Sequence, residues 1–266
     1  IKTMALSQEF EGDELTEVKE RFFREAETAG RLNHPAIVTI YDAGEEHDLA
    51  YIAMEFLKGK DLRPYTRPDS LLPPGKALSI IVKVAEALSY AHSMGVVHRD
   101  IKPANIMYEP ESDTPKVTDF GLSKSMFTLQ ARRMAAEESF VFGTPAYISP
   151  EQAMGSEELF IQTDMYSLGL TFDHRLTGTR PFECYSLDEI IEAQQTDYLP
   201  DPCEVLPHLP VSYGWLLAKM TAKNPAKRPA SWDEVLKDIQ QIKSGFLLHI
   251  NVEKNDIGHA FFNKLK

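Results

Sequence analysis

A short polar stretch near the middle of the chain, HRDIKPAN, holds three side chains that could do chemistry together. Asp100 offers a carboxylate, Lys102 a cation two residues later, and Asn105 an amide oxygen five residues after the aspartate. Phosphoryl transfer needs such groups: a carboxylate that orients a hydroxyl and accepts its proton, a cation, and oxygen ligands for Mg²⁺. A second carboxylate, Asp119, follows in the segment DFG. We predict that these four side chains gather around one magnesium–triphosphate centre.

The neighbouring segments indicate that this stretch is a loop. Pro103 is unfavourable inside a helix, because it lacks an N–H and clashes with the preceding turn. Apolar residues spaced by three and four predict a long helix that ends near Gly95, just before the stretch. The segments NIMY and KVTDF predict two short strands after it.

The first part of the chain predicts a small sheet with one helix. Apolar residues at helical spacing predict an amphipathic helix over residues 14–32. Glu25 lies on the apolar face of that helix, where a carboxylate is costly unless it is paired. The segments AIVTIYDAG and LAYIAMEF are rich in β-branched and aromatic residues and predict strands.

The second part is predicted to be mainly helical. The predicted helices contain TDMYSLGLTF, SLDEIIEAQQ, YGWLLAKMT and SWDEVLKDIQQI. Residues 122–145 show no clear period and predict a long loop, a feature that is usually functional in a compact domain. We therefore expect an α+β fold with two lobes. The small sheet-plus-helix lobe spans residues 1–57, the larger helical lobe spans 58–243, and we assign no role to the tail at 244–266.

Composition narrows the possible partners and locations. The 266 residues carry a formal net charge of −12, which disfavours nucleic acids and anionic membrane surfaces. The sequence contains no apolar run long enough for a membrane span. Its two cysteines cannot form a disulfide framework, so a reducing compartment is expected. We expect a cytoplasmic domain with no nucleic-acid partner and no membrane contact within this chain.

Five motifs, in order, resemble landmarks of the protein kinase family. HRDIKPAN, DFG and GTPAYISPE look like the catalytic loop, the metal-binding loop and the end of the substrate loop. TDMYSLG and KNPAKRP are similar to later landmarks of the helical lobe, so the resemblance covers residues 1–243. Lys102 and Thr144 fit the serine/threonine class, and residues 24–46 look more like bacterial members than eukaryotic ones. The resemblance implies transfer of the γ-phosphate of ATP to serine or threonine hydroxyls of protein substrates.

The resemblance implies a role for each residue of the catalytic set. Asp100 would be the catalytic base and Lys102 would contact the γ-phosphate. Asn105 and Asp119 would ligate Mg²⁺. Lys2 would hold the α- and β-phosphates, with Glu25 as its helix partner, which would explain a carboxylate on an apolar face. For Glu25, a solvent-facing acid on a frayed helix is the alternative.

A second set is expected to surround the adenosine of ATP. Met54 resembles the residue that guards the back of the adenine pocket, and Met107 one that packs beneath adenine. Glu55 and Leu57 would present backbone groups to adenine, and Asp61 would reach the ribose. A strand end and turn is the alternative for residues 54–61, and a plain core methionine is the alternative for Met107.

Three further charged residues are expected to hold the architecture. Asp164 resembles the helix acid that holds the backbone of the catalytic loop. Glu151 and Arg228 resemble a buried ion pair that joins the substrate loop to the helical lobe.

Regulation is expected in the long loop. In the family an arginine such as Arg99 often receives a phosphate from this loop. Ser139 is the acceptor we favour, and Ser123, Ser125 and Thr128 are the alternatives. Thr144 would bond near the catalytic acid and lysine, or would be a structural turn residue. We hypothesise that Glu137 and Glu138 partly supply the charge of that phosphate; a solvated acidic turn is the alternative.

Part of the family pattern does not occur in this sequence. The family places a glycine-rich hairpin over the phosphates before the strand that carries the lysine, but here Lys2 is the second residue. We expect the sequence to be a piece of a longer protein; a parent that lacks this hairpin is the alternative. The longer protein could carry a membrane span and could dimerise during autophosphorylation in trans.

Two other functions are alternatives to a serine/threonine kinase. A non-catalytic scaffold of kinase fold is favoured by the missing glycine-rich hairpin but disfavoured by the presence of Asp100, Asn105 and Asp119. A small-molecule phosphotransferase is disfavoured by GTPAYISPE, since that segment builds a platform for a peptide substrate.

Overall fold

The computed structural model describes residues 1–6, 10–47, 49–120, 145–156, 159–182 and 186–245. In chain order the elements are β1 (Lys2–Met4), α1 (Gly12–Gly30), β2 (Ile40–Glu46), β3 (Leu49–Met54), β4 (Lys60–Asp61), α2 (Pro74–Ser93), β5 (Ile106–Glu109), β6 (Thr114–Val117), α3 (Pro150–Ala153), α4 (Ile161–Thr177), α5 (Leu187–Thr196), α6 (Pro202–Val205), α7 (Val211–Met220) and α8 (Trp232–Lys243). The α+β fold class expected from the sequence is confirmed.

The first sheet is antiparallel, in the order β1–β3–β2, and α1 packs on it. Helix α1 begins and ends two residues before the predicted 14–32. Its buried residues Val18, Phe22 and Ala26 share one cluster with Ala50 and Ile52 of β3. The three-and-four spacing therefore reports a real apolar face, and this face fixes the helix that carries Glu25.

The second sheet, in the order β4–β5–β6, lies beside the long helix α2. Helix α2 has apolar residues on most of its surface, and Val84, Ala85 and Leu88 are fully buried. The chain leaves the helix at Gly95, whose φ of 76° is the left-handed conformation that glycine adopts most readily. The turn at Gly95 directs the chain into the catalytic stretch.

A short seam joins residues 36–38 to the end of β6. Val38 N donates to Val117 O at 2.9 Å, and Val117 N donates to Ala36 O at 2.8 Å. These residues form a parallel bridge next to the two sheets. The seam lies two residues before Asp119.

Helix α4 is the central helix of the second part of the chain, and every residue from Thr163 to Leu176 is buried. It packs against α2 and α7. A Cβ at Gly169 would lie 2.7 Å from the Thr221 side chain, so glycine is needed for the close approach of these helices. Within the described ranges, no helix combines the length and apolar character that a bilayer span requires.

Candidate active site

Asp100, Lys102 and Asn105 meet at one carboxylate oxygen. Lys102 Nζ lies 2.8 Å from Asp100 Oδ2, and Asn105 Nδ2 donates to the same oxygen at 2.8 Å. Asn105 Nδ2 also donates to the backbone oxygen of Asp100 at 2.8 Å. The 3₁₀ turn Pro103–Asn105 brings the asparagine back toward the aspartate. Both contacts fall on Oδ2, which leaves Oδ1 as the oxygen that can receive a hydroxyl.

The orientation of the Asn105 amide follows from its partners. Both atoms that it faces, Asp100 O and Asp100 Oδ2, are acceptors, so the amide nitrogen must point toward them. The carbonyl Oδ1 then points away from Asp100. An amide oxygen held in this way is a suitable ligand for a hard cation such as Mg²⁺.

Asp119 lies next to the segment that carries Asp100 and Asn105, because the backbone of the preceding residue, Thr118, is hydrogen-bonded to Asn105. Thr118 N donates to Asn105 O at 2.9 Å, and Thr118 O lies 2.8 Å from His98 Nε2. Asp119 has a left-handed φ of 62°, an uncommon conformation for a residue other than glycine. Its Oδ1 lies 2.9 Å from Lys2 Nζ, an ion pair that joins β1 to the DFG segment.

Glu25 is half-buried on α1, as its place on the apolar face requires. Its Oε1 lies 3.6 Å from Arg21 Nε, one helical turn earlier. Because Lys2 contacts Asp119 in this structure, the pairing of Lys2 with Glu25 stays a prediction.

The residues expected around adenine line two neighbouring cavities. Glu55, Leu57 and Met107 line an open cavity of about 250 Å³. Met54 lines a small apolar pocket together with Ala29, Ile52, Asp119 and Phe120.

Glu55 and Asp61 are each held by a basic residue. Glu55 pairs with Lys116 at 2.6 Å. Burial alone would raise the pKa of Glu55, but hydrogen bonds from Lys116 and Thr39 outweigh it and leave this pKa below its usual value. Asp61 lies opposite Met107 in the β4–β5 pair, and its carboxylate accepts from Arg63 at 2.7 and 3.0 Å. To bind a ribose hydroxyl, the Asp61 carboxylate would have to accept a further hydrogen bond besides those from Arg63.

Asp164 holds the backbone of the catalytic loop from below. Although its side chain is fully buried, Asp164 accepts from His98 N at 2.8 Å and from Arg99 N at 2.7 Å. His92 Nε2 lies 2.8 Å from the same carboxylate, and Trp232 Nε1 donates to His92 Nδ1 at 2.5 Å. Because Trp232 donates to Nδ1, Nε2 carries the imidazole proton and donates to Asp164.

The contribution of His92 and Trp232 was missed by the sequence reasoning. Helical spacing places His92 near the C-terminal end of α2, but nothing in the sequence pairs it with a tryptophan 140 residues later.

Glu151 and Arg228 form a buried pair with two contacts. Arg228 Nη1 and Nη2 lie 2.7 and 2.9 Å from the two carboxylate oxygens, and Thr163 Oγ1 donates to Glu151 at 2.8 Å. Burial would raise the pKa of Glu151, but the hydrogen bonds and charge of Arg228 outweigh it and keep this pKa below its usual value. The pair ties α3 to the segment that precedes α8.

We call the motif GTPAYISPE the substrate segment. Side chains from two helices contact its described residues Pro145–Tyr147. Gln194 Nε2 of α5 donates to Ala146 O at 2.9 Å, and the Tyr147 hydroxyl lies 2.5 Å from His174 Nδ1 of α4. Burial lowers the pKa of His174 to about 4, so the imidazole is neutral at physiological pH and accepts a hydrogen bond from the Tyr147 hydroxyl. Sequence reasoning missed Gln194 and His174, since neither belongs to a recognised motif.

Arg99 contacts this region through its backbone. Its carbonyl accepts from Gln152 Nε2 at 2.8 Å, and its φ is 71°. Its buried Nε has no hydrogen-bond partner within the described part of the chain. Thr144, Ser139, Glu137 and Glu138 lie outside the described residues, so their expected roles stay predictions.

Comparison with known proteins agrees with this geometry. A family model described as the protein kinase domain matches residues 1–240. Among curated proteins, the serine/threonine-protein kinase pkn3 of Myxococcus xanthus is 39% identical over 228 residues, which cover 84% of this chain and 42% of that protein. The serine/threonine-protein kinase PrkC of Bacillus subtilis is 36% identical over 220 residues, covering 83% of this chain and 33% of PrkC. The chain thus spans less than half the length of these relatives.

Solved structures show the same likeness. The kinase domain of Mycobacterium tuberculosis PknI is 28% identical with a TM-score of 0.68, covering 90% of this chain and 84% of that one. A structure of Rad53 in complex with AMP-PNP is 26% identical with a TM-score of 0.67, covering 82% of this chain and 54% of that chain. The family match spans most of the sequence and its relatives are bacterial serine/threonine kinases, so the chain belongs to the protein kinase domain family.

Proposed function

We propose that this domain is an ATP-dependent serine/threonine protein kinase. The observation that carries the proposal is the meeting of Lys102 and Asn105 on one oxygen of Asp100, with Asp119 on the adjoining backbone. The small lobe comprises residues 1–57 and the helical lobe residues 58–243, with the site where they meet. The substrates are proteins in the cytoplasm, and one substrate is a second copy of the kinase during autophosphorylation in trans.

Each residue has a distinct task in the proposed reaction. Asp100 Oδ1 orients the serine or threonine hydroxyl and accepts its proton as the oxygen bonds to the γ-phosphorus of ATP and the bond to ADP breaks. Lys102 neutralises charge on the transferred phosphoryl group, and Lys2 binds the α- and β-phosphates. The Nε of Arg99 lacks a hydrogen-bond partner among the described residues. Arg99 binds a phosphate group on Ser139, and this ion pair orders the substrate loop.

The metal site fits Mg²⁺ in its donor set. Asp119 and the outward-facing Oδ1 of Asn105 would hold the ion, which, when bound, supplies positive charge to the phosphate oxygens. Lys2, which pairs with Asp119 at 2.9 Å in this structure, would be free to contact phosphate if Asp119 held the ion. The cavity beside Glu55, Leu57 and Met107 receives adenine.

Phosphate transfer by the full-length protein tests the proposal. The protein is incubated with radiolabelled ATP, Mg²⁺ and myelin basic protein, and labelled residues are identified by mass spectrometry. We expect label on serine and threonine, and a loss of about 10²- to 10⁴-fold in Asp100→Asn, since a positioned base contributes this much. The exposed Asp69→Asn serves as the matched control and should match the wild type. Absence of transfer by the wild type, or an equal rate in D100N, would overturn the proposal.

A further inference from the structure

We infer that Gln194 is a positioning residue that sets the place of the substrate segment, and so determines how tightly a protein substrate is bound. The inference rests on the proposed kinase function and deepens it. Gln194 lies on α5, outside every motif that the sequence suggested. It is not among the residues that line the cavity beside Glu55.

The amide of Gln194 is fixed at both ends. The residue is completely buried. Its Nε2 donates to Ala146 O at 2.9 Å, and its Oε1 accepts from the Tyr166 hydroxyl at 2.8 Å. Burial raises the pKa of Tyr166, so its hydroxyl keeps its proton and remains the donor. Both polar ends of a buried amide are therefore satisfied, and the backbone at Ala146 is held in one place.

Lys223 holds the helix end that carries Gln194. Its Nζ donates to the carbonyls of Gln194 at 2.8 Å and Ala193 at 3.3 Å, near the C-terminus of α5. A cation at a helix C-terminus is favourable, because the unpaired carbonyls carry partial negative charge. The same Nζ lies 3.1 Å from the Tyr166 hydroxyl and 4.5 Å from the centre of the Phe182 ring. Lys223 thus fixes α5 and the tyrosine that orients Gln194.

The held segment leads directly to the catalytic loop. Three residues after Ala146, Ser149 caps helix α3 by accepting from Gln152 N. Gln152 Nε2 in turn donates to Arg99 O at 2.8 Å, next to Asp100. A shift at Ala146 would therefore move the platform for the protein substrate relative to the base. It would leave the nucleotide cavity unchanged, because that cavity is lined by residues 55–59, 107–109, 114 and 116.

The kinetic signature separates positioning from simple structural support. Gln194→Glu keeps an acceptor for Tyr166 but places a carboxylate oxygen against Ala146 O. We expect the KM for myelin basic protein, a basic substrate suited to this acidic chain, to rise about 5- to 50-fold, the loss of one buried hydrogen bond. The KM for ATP, and the rate at which the kinase slowly hydrolyses ATP in the absence of a protein substrate, should stay within twofold of the wild-type values. Lys223→Met should act in the same direction more weakly.

Gln195→Ala is the matched control. The neighbouring glutamine is exposed, and its side chain bonds to Ile191 O of its own helix. This variant should retain both KM values. Thermal unfolding of each variant identifies any that do not fold, and K223M then carries the test in place of Q194E.

The outcomes distinguish this inference from the function on which it rests. A wild type that transfers no phosphate to protein overturns both. If the wild type is active, an unchanged KM for myelin basic protein in Q194E and K223M overturns the inference alone. An equal decline of protein phosphorylation and ATP hydrolysis also overturns it, because a general structural defect predicts that result.

Discussion

The two ends of helix α4 bury acids in opposite ways. At the N-terminal end, Asp164 is fully buried and receives two backbone N–H groups and the His92 imidazole. At the C-terminal end, Asp173 is 4% exposed, and its Oδ1 has no hydrogen-bond partner among the described residues. Burial raises the pKa of Asp173 to about 7. The same helix therefore carries one carboxylate that accepts from several donors and one whose Oδ1 accepts from none of the described residues.

The next two residues, His174 and Arg175, are also buried and also have pKa values shifted by burial. Burial, with the positive charges of Arg180 and Arg175, lowers the pKa of His174 to about 4. Arg175 is 1% exposed; its Nη1 donates to Tyr65 O, but its Nε and Nη2 have no partner within the described ranges. Burial lowers the pKa of Arg175 to about 10. The comparison teaches that the number of hydrogen-bond partners, and not burial alone, decides whether a buried charge stabilises or destabilises a structure.

The largest effect is expected from breaking the anchored end. Asp164→Asn replaces one acceptor oxygen by an amide group that faces N–H donors, so the catalytic loop loses its support. We expect phosphate transfer to fall by at least about 10²-fold and the free energy of unfolding by about 3–5 kcal/mol. Urea denaturation and the transfer assay measure the two quantities. Wild-type values for both would show that the loop does not depend on Asp164.

Removing one partner of a buried pair gives the next effect. Arg228→Met leaves Glu151 buried without its cation, and we expect a loss of about 3–5 kcal/mol in the free energy of unfolding. The exposed pair of Arg31 and Glu27 is the control, since its side chains are 71% and 68% exposed. Arg31→Ala should cost less than about 0.5 kcal/mol. Similar losses in both variants would contradict the argument from burial.

At the C-terminal end of α4, a substitution is expected to raise the free energy of unfolding. Asp173 has a raised pKa, so its contribution to stability is present below pH 3.8 and is lost as the pH rises to about 7. Asp173→Asn cannot ionise, and we expect it to gain about 2–4 kcal/mol over the wild type at pH 8 and little at pH 4. Urea titrations at several pH values measure this. A destabilised D173N at pH 8 would show that the carboxylate has a function that asparagine cannot replace.

The smallest effect is expected from the adjacent histidine, His174. Its contribution to the free energy of unfolding changes with pH in the direction opposite to that of Asp173. His174 has a lowered pKa, so its contribution is present above pH 6.5 and is lost as the pH falls toward 4. His174→Asn keeps an acceptor for Tyr147 but does not titrate. It should remove a decline of about 1–3 kcal/mol between pH 6.5 and pH 4. The wild type masks part of this decline, because Asp173 changes in the opposite direction. Urea titrations should therefore compare D173N with D173N/H174N, and the double variant should lose less stability between pH 6.5 and pH 4.

The sequence predicted the elements whose periodicity is local. Helices α1 and α2 and strand β3 were found because their apolar spacing reports one buried face. Helix α4 was located, but its pattern could not show that Asp173 and Arg175 are buried, since no period marks a helix that is enclosed on all sides.

The site was accessible to sequence reasoning only through motifs. Asp100, Lys102, Asn105 and Asp119 were named from their types and spacing, and the structure places them on adjoining segments, although their roles stay predictions. Gln194 and Trp232 could not be named, because their partners lie 48 and 140 residues away and no local signal links them.

The seam between residues 36–38 and Val117 has a mechanical consequence. Two backbone hydrogen bonds fasten the first part of the chain to the second within two residues of Asp119. If the lobes swing open and shut as nucleotide enters and leaves, this seam is where the rotation axis should pass. Points far from the seam would move most, while Asp119, two residues after it, would stay almost stationary, so lobe motion would leave this predicted metal ligand in place.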